Sequence, residues 1–357
     1  MTGTYKIAVF EGDGIGPEIM APTLRCLTHL ARGKYDLTYT VLPAGAGHYE
    51  QTGDALPEAS IDAARASDAI LLSAMGLPRV RYPDGTEITP QIDIRLKLDL
   101  FAGVRPVRVS EGQPTPLKLD GREIDFVLIR ESTEGLFHTQ GCGEVAEDYA
   151  RETLQITRKT SEDLFRFTFD LAQQRKAAGR GSGHVTCVDK ANVFRAFAFF
   201  REIFDGVADG YPDLTRDHAY VDAMALWMVE KPWAFDVMVT ENMFGDILSD
   251  LGAGLMGGLG LAPSADIGHD NAVFQPCHGS APDIAGQGVA NPFAMILSGA
   301  MMLDWLGLRT GNADMVADGA KLDAAVRKVI AKGDVMTRDL GGSAGTDAAA
   351  EAVLAAL

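Results

Sequence analysis

Two aspartates, Asp246 and Asp250, lie four residues apart in the stretch FGDILSD. On a helix that spacing sets both carboxylates on one face. They repel there, and a divalent cation such as Mg2+ or Mn2+ relieves the repulsion with hard oxygen ligands. Acids are also at home in a helix's first turn, so a third ligand decides between the two readings. Three arginines, Arg95, Arg105 and Arg130, recur around IDIRLKLDLFAGVRPVRV and at the end of the apolar run DFVLIRE. An arginine that ends a strand faces a crevice. Three that converge can grip two carboxylates through forked hydrogen bonds, whereas each alone is an ordinary ion-pair partner. Lys190 follows TCVD and precedes the helical pattern ANVFRAFAFFREIF. A lysine at a helix start opposes the helix dipole, and one desolvated near a metal has a lowered pKa suited to a base or proton relay.

Glycine-rich segments must shape any ligand site around these groups. EGDGIGPEI follows the apolar run YKIAVF, but the third glycine of the dinucleotide fingerprint falls on Pro17. The fingerprint therefore fails, and Pro17 reads as the first residue of a helix, where its missing N–H costs nothing. Leu251–Leu261 (LGAGLMGGLGL) and Cys277–Pro292 (CHGSAPDIAGQGVANP) are the other two. The latter mixes polar groups with glycines ahead of a helix, as a closely approached ligand site or a plain surface turn would.

The elements that position these residues alternate. YKIAVF, LTYTVL, DAILLSAM, EIDFVLIR, HVTCVD and AFDVMVT read as strands. Helical periods run over Pro17–Ala31, Ser161–Ala178, Ala191–Phe204, Pro292–Leu306 and Ala313–Lys332. Interleaving of this kind predicts an α/β fold with largely parallel pairing. QQRKAAGRGSGH reads as helix-end chemistry, with late positive charge and glycine caps.

The 357 residues carry 49 acidic and 32 basic side chains, a formal charge of -17. Such a surface repels nucleic acid and anionic lipid, and an anionic substrate then needs a local arginine cluster. No apolar run reaches the length of a membrane span and no basic-then-apolar leader opens the chain, so a soluble cytoplasmic protein is expected. The four cysteines show no C-x-x-C spacing and read as buried free thiols.

Taken together, GDGIGPEI, LDLFAGVRPVR, VLIRESTEG, VDKANVFR, YVDAMALWMVEKPWAFDVMVTENMFGDILSD and HGSAPDIAGQGVANP resemble, in order, the β-decarboxylating dehydrogenase family. That family includes the 3-isopropylmalate, isocitrate, homoisocitrate and tartrate/D-malate dehydrogenases. The resemblance implies a two-domain fold unlike the classical Rossmann fold. Residues 1–103 and 257–357 would form a discontinuous cofactor-side domain, and 104–256 a second domain with metal ligands and dimer contacts. It implies a homodimer or higher homo-oligomer with shared active sites, acting on a small dicarboxylate or tricarboxylate.

Carried over by position, Arg95, Arg105 and Arg130 would bind the malate carboxylates. Asp246 and Asp250, with Asp222 of the partner subunit, would bind Mg2+ or Mn2+. His278, Gly279, Asp283, Asn291 and Ile15 match the cofactor site, and an acid at Asp283 fits NAD because it would repel the 2′-phosphate of NADP. The substrate hydroxyl would lose its proton towards Lys190, directly or through Asp222 or water, as hydride leaves C2 for the nicotinamide. Polarisation by the metal would stabilise the enolate left as CO2 departs.

Two departures stand out. The family's usual tyrosine acid falls on Phe137 in RESTEGLF, and phenylalanine cannot donate a proton. A water or His138 would substitute, or solvent would complete the tautomerisation, or the chain is a weakly active or regulatory homologue. The retained arginines, lysine and aspartates favour an active enzyme. The second departure is EITPQID, where the family reads the C3 substituent. Thr89 and Gln91 offer hydrogen bonds there, and leaving them unpaired against an isopropyl group would cost about 1–3 kcal/mol each. Arg79 and Arg81 lie near this segment and read as solvated loop charges or as partners of an extra carboxylate.

Overall fold

The computed structural model describes residues 3–357. Its strands, in chain order, are β1 (Thr4–Phe10), β2 (Asp36–Val41), β3 (Ala69–Leu72), β4 (Ala102–Val109), β5 (Ile124–Glu131), β6 (Glu144–Val145), β7 (Ala150–Arg151), β8 (His184–Asp189), β9 (Thr215–Tyr220), β10 (Val237–Thr240), β11 (Pro263–Ile267) and β12 (Ala272–Pro276). The chain divides into two compact units. One comprises Met1–Leu98, Ser110–Pro116 and Met256–Leu357, the other Asp99–Val109 and Leu117–Leu255.

In the first unit the strands run in the order β2, β1, β3, β12, β11. All pairings among them are parallel except β11 with β12. β3, β11 and β12 are buried at every residue, and β1 at its last four, as strands covered on both faces are, with Ser264, Asp266 and Gln275 as the buried polar groups among them. Helix Gly16–Ala31 starts with its proline in the first turn, as the sequence predicts, and buries the stripe Ile19, Met20, Thr23, Cys26, Leu27 and Leu30. Phe293–Thr310 is buried on most of its surface and packs along Ala313–Lys332. Asn312 caps the latter by accepting from the Asp314 and Met315 amides.

In the second unit the order is β4, β5, β10, β8, β9, antiparallel between β4 and β5 and parallel elsewhere. Helices Arg158–Ala177 and Arg195–Ala208 meet through Phe165, Phe169, Phe200 and Phe204, with ring centroids 4.6–5.3 Å apart. β6 and β7 form an exposed hairpin.

Two local readings are corrected here. The helix after Lys190 begins at Arg195 rather than Ala191. Asp189, which accepts from the Ala191 amide at 2.9 Å, and the Lys190 carbonyl, which accepts from Val193 and Phe194, bend residues 190–194 into a turn instead. Lys190 thus opposes no helix dipole. Arg175 is more than late-helix charge: it is buried and paired with Asp236 at 2.8 Å and Asp125 at 3.1 Å, an anchor holding QQRKAAGRGSGH onto its unit.

Candidate active site

The antiparallel pairing of β4 with β5 sets Gly103 opposite Arg130. Residues directly opposite share a face, as do residues two apart on one strand, so Arg105 and Arg130 lie on the same side of the sheet as diagonal neighbours. Both are buried, 6% and 7% exposed, and the Arg105 Nη1 donates to the Val104 carbonyl at 3.2 Å. A guanidinium kept at that depth by a sheet has little freedom to follow solvent.

Helix Asn242–Leu255 lies against Arg130 because Gly245 allows it: a Cβ at Gly245 would stand 2.6 Å from the Arg130 Cγ. The helix then presents two groups to the guanidinium. Asn242 Oδ1 accepts from Arg130 Nε at 3.1 Å and Nη2 at 2.7 Å, and Asp246 forms a short ion pair with Nη1. Asp250 sits one turn further along. Burial raises its pKa first, and the Asp246 charge raises it again, while Arg130 and Arg105 pull it down. The expected like-charge pair is therefore present and facing two arginines. Beneath them, burial also raises the carboxyls of Glu131 and Glu241. Glu131 accepts from the Thr133 and Glu134 amides, and Glu241 from those of Met243 and Phe244. Asn242, Glu131 and Glu241 escaped sequence reading. Asn242 carried the only usable signal, being four residues before Asp246.

Lys190 and Asp222 come together elsewhere on this unit, with Nζ 2.5 Å from the carboxylate. That hydrogen bond is the main reason the Asp222 carboxyl titrates below its ordinary value. The Tyr220 ring lies beside them, 5.9 Å from Nζ, and bears on Arg201, whose guanidinium grips the fully buried Asp189. Among the described residues no group of three or more His, Cys, Asp or Glu is placed to hold a metal ion. Phe137 sits half-buried in a single turn, Leu136–Thr139, with His138 exposed beside it.

In the first unit, Arg95 ends helix Pro90–Lys97, 7% exposed, with Nη2 3.3 Å from Asp266. Its Nε is buried without a partner. Gln91, one turn earlier, likewise buries its Oε1 with no partner, while Thr89 is half-buried as the residue preceding the helix. An orphaned acceptor and an orphaned donor one turn apart are a preparation for polar company. Of the nearby loop charges, Arg79 is ion-paired with Glu50 and Arg81 leans on the Gly85 carbonyl of its own loop.

The Cys277–Pro292 loop also belongs to this unit. His278 Nδ1 lies 3.0 Å from the Gly279 carbonyl, and its Nε2 is buried with no partner. Burial lowers its pKa and keeps the ring neutral. Gly279 and Asp283 are exposed, and Ile15 is buried. Asn291 is already committed: it donates to Asp339 at 2.9 Å and accepts from the Phe293 amide at 2.9 Å, at the first residue of the next helix.

The sequence model for isocitrate/isopropylmalate dehydrogenase matches residues 6–353. The chain belongs to this family. A 3-isopropylmalate/3-methylmalate dehydrogenase of Methanocaldococcus jannaschii is 43% identical over 354 residues, covering 98% of each chain. A 3-isopropylmalate dehydrogenase of Streptococcus thermophilus is 40% identical over 362 residues, covering 99% of this chain and 100% of its own. The crystal structure of isocitrate dehydrogenase from Methylococcus capsulatus superposes with a TM-score of 0.85 at 37% identity, with 99% of both chains covered. A β-decarboxylating dehydrogenase of Thermococcus kodakarensis gives 0.79 at 36%, covering 99% of this chain and 96% of its own. The fold is thus the isopropylmalate/isocitrate dehydrogenase-like one and not the classical Rossmann fold, and the protein is an enzyme of the decarboxylating dehydrogenase family. No described helix is long and apolar enough to cross a membrane.

Proposed function

We propose that the protein carries out NAD-dependent, divalent-metal-dependent oxidative decarboxylation of a 3-substituted malate whose substituent is small or bears a hydroxyl. The observation that carries this reading is the facing of Arg105 and Arg130 by the carboxylates of Asp246 and Asp250 on one unit. Buried guanidinium groups suit a dicarboxylate, and two carboxylates one turn apart on one helix suit a hard cation.

The donors fit both absent groups. Asp246 and Asp250 would supply two oxygen ligands to Mg2+ or Mn2+, and Asp222 of the partner subunit would supply the third. Lys190 is paired to Asp222 within one chain, so a site that receives one receives both. The unpartnered, neutral His278 Nε2 suits the edge of an adenine, beside Gly279, Asn291 and Ile15, and the exposed Asp283 carboxylate suits the ribose hydroxyls of NAD. When bound, NAD supplies the hydride acceptor and the metal the charge that polarises the oxygen on C2.

The chain's own groups do the rest. Arg105 and Arg130 orient the carboxylates, with Asn242 bracing Arg130, and the resemblance to the family adds Arg95 to them. The hydroxyl proton leaves towards Lys190, directly or through Asp222 or water, and is accepted by the lysine in its neutral amine form, with the Asp222 carboxylate 2.5 Å away orienting the amine. Phe137 keeps a half-buried apolar surface where no proton can be donated, which leaves the final protonation to water or to His138.

Gln91 is the ground for the substrate. A substituent hydroxyl donates to its buried Oε1, whereas an alkyl group leaves that acceptor unpaired at a cost of about 1–3 kcal/mol. The names of the relatives favour isopropylmalate instead, as the second reading. Apolar side chains exposed on helices Val221–Glu230 and Asn242–Leu255, namely Leu226, Val229, Met243 and Ile247, support a homodimer or higher homo-oligomer. Four free thiols, one of them exposed at Cys142, fit the cytoplasm.

The test is NADH formation by the purified protein with Mn2+ or Mg2+ across D-malate, tartrate, isopropylmalate, isocitrate and homoisocitrate, repeated with Asp246→Asn. Turnover of a small or hydroxylated acid that is lost in the variant is the expected result. Highest kcat/KM on isopropylmalate selects the second reading, and no turnover on any acid selects a regulatory subunit.

A further inference from the structure

In a dinucleotide-binding turn the glycine amides at the end of the first strand hold a pyrophosphate. Here the turn after β1 gives its amides to carbonyls, those of Asp13, Ile15 and Gly16 to Ala74, Ser280 and Asp13, and itself supplies a carboxylate that amides from outside the turn hold. Asp13 is 7% exposed and forms no ion pair among the described residues, yet it accepts three backbone hydrogen bonds, from Ala46, Gly47 and Gly76, each of 2.8 Å. A buried carboxylate neutralised by main-chain N–H groups alone is held as an amide nest holds a bound anion. Its three donors come from the chain after β2 and after β3.

The same turn is closed onto the Cys277–Pro292 loop. The Asp13 amide donates to the Ala74 carbonyl at 2.8 Å and the Ile15 amide to the Ser280 carbonyl at 2.8 Å. The Ser280 hydroxyl, buried, donates back to the carbonyl of Gly76, whose own amide is on Asp13. The path Asp13, Gly76, Ser280, Ile15 is therefore a ring of three hydrogen bonds closed by the main chain of residues 13–15. The glycines serve that ring: a Cβ at Gly12, with φ +74, would lie 2.1 Å from the Ala74 carbonyl, and one at Gly14, with φ +58, 2.0 Å from that of Ser280. They are needed for loop against loop, and not for loop against phosphate.

We propose that Asp13 is an internal anion held by the amides of Ala46, Gly47 and Gly76, and that through Gly76 and Ser280 it positions the Cys277–Pro292 loop for the cofactor. The second half rests on the functional reading above, which gives that loop to NAD. Asp13 is a positioning residue and touches neither substrate nor cofactor. Two consequences follow. With the Asp13, Ile15 and Gly16 amides taken by carbonyls, the cofactor pyrophosphate does not sit on that turn, and removing the carboxylate leaves an anion-sized hole lined by three amides.

The full chain carrying Asp13→Ala, Asp13→Asn or Ser280→Ala tests this by thermal unfolding and by kinetics in NAD. Asp13→Ala is expected to raise the KM for NAD by about ten-fold or more with kcat little changed, since lost amide bonds loosen the loop. Formate, a carboxylate small enough for the hole, should restore both Tm and KM where chloride at equal ionic strength does not. Asp13→Asn, which keeps one acceptor oxygen, should fall between. Ser280→Ala cuts the ring one bond further on and should raise the same KM with the carboxylate in place, so a misfolded Asp13→Ala leaves two variants to decide. Equal response to formate and chloride, or loss of Tm without a change in the KM-to-kcat relation in any variant, overturns the proposal. Failure of the functional reading shows separately, as a wild type inactive on every malate, and the formate effect on Tm would still decide the internal anion.

Discussion

Asn242→Ala should weaken the site through its brace while leaving every expected ligand in place. Asn242 Oδ1 takes two bonds from Arg130, at 3.1 and 2.7 Å, and its Nδ2 donates to the Glu134 carbonyl at 3.0 Å. The Arg130 side chain is only 9% exposed, so solvent replaces these bonds poorly. A bond to a charged donor contributes about 1.5–3 kcal/mol, and two sharing one acceptor contribute less than double. The expected loss of unfolding free energy is therefore about 2–4 kcal/mol, read by urea titration with the wild-type m-value as the check on two-state behaviour. The guanidinium keeps its ion pair with Asp246 and is drawn towards it, out of line with Arg105. A displacement near 1 Å costs about 10²-fold, so kcat/KM for the preferred malate should fall by roughly that factor. Asn242→Asp keeps the acceptor and should recover a large part of both losses. Unchanged stability together with unchanged kcat/KM in Asn242→Ala would refute the reasoning, because Arg130 would then be oriented by something other than this helix.

Gln91→Leu fills the position with an apolar side chain, and the kcat/KM ratio of isopropylmalate to tartrate should rise by about 10-fold or more; an unmoved ratio would separate Gln91 from substrate recognition. Phe137→Tyr restores a hydroxyl, and kcat should increase with little change in KM, by up to about 10²-fold if protonation limits turnover. No increase in the deuterium-solvent comparison would mean that another group already protonates the product. His184 is held with a raised pKa chiefly by its hydrogen bond to Asp217, 3.1 Å away. Its protonated form is favoured on folding, so this contribution is full below the ordinary histidine value of about 6.5 and fades as pH rises through the raised one. Urea titrations across that window should show stability falling with pH in the wild type and a flatter profile in His184→Gln; identical profiles would exclude the pair.

What one stretch of chain contains could be read directly from it. Pro17 marked the start of its helix, DAILLSAM held the unbroken apolar run of a buried parallel strand and HVTCVD the short β-rich pattern of another, and Ala313–Lys332 kept its limits because propensity, period and the Asn312 cap agree. The four-residue interval between Asp246 and Asp250 was legible for the same reason, since helix geometry is local. The pairing of distant segments was not. That Arg105 and Arg130 share a face depends on the register of β4 with β5, which no interval along the chain encodes. The helix expected directly after Lys190 gave way to a turn because Asp189, locked by Arg201, claims the Ala191 amide. Asp13 was the least legible of all. In sequence it is one acid in a glycine turn that fails a fingerprint. Folding brings the Ala46, Gly47 and Gly76 amides to its carboxylate from elements 33 to 63 residues away. Local propensity determined which segments became strands and helices, whereas the partners of each buried charge were decided by tertiary packing, because a charge taken out of water must find its compensation wherever the fold supplies it.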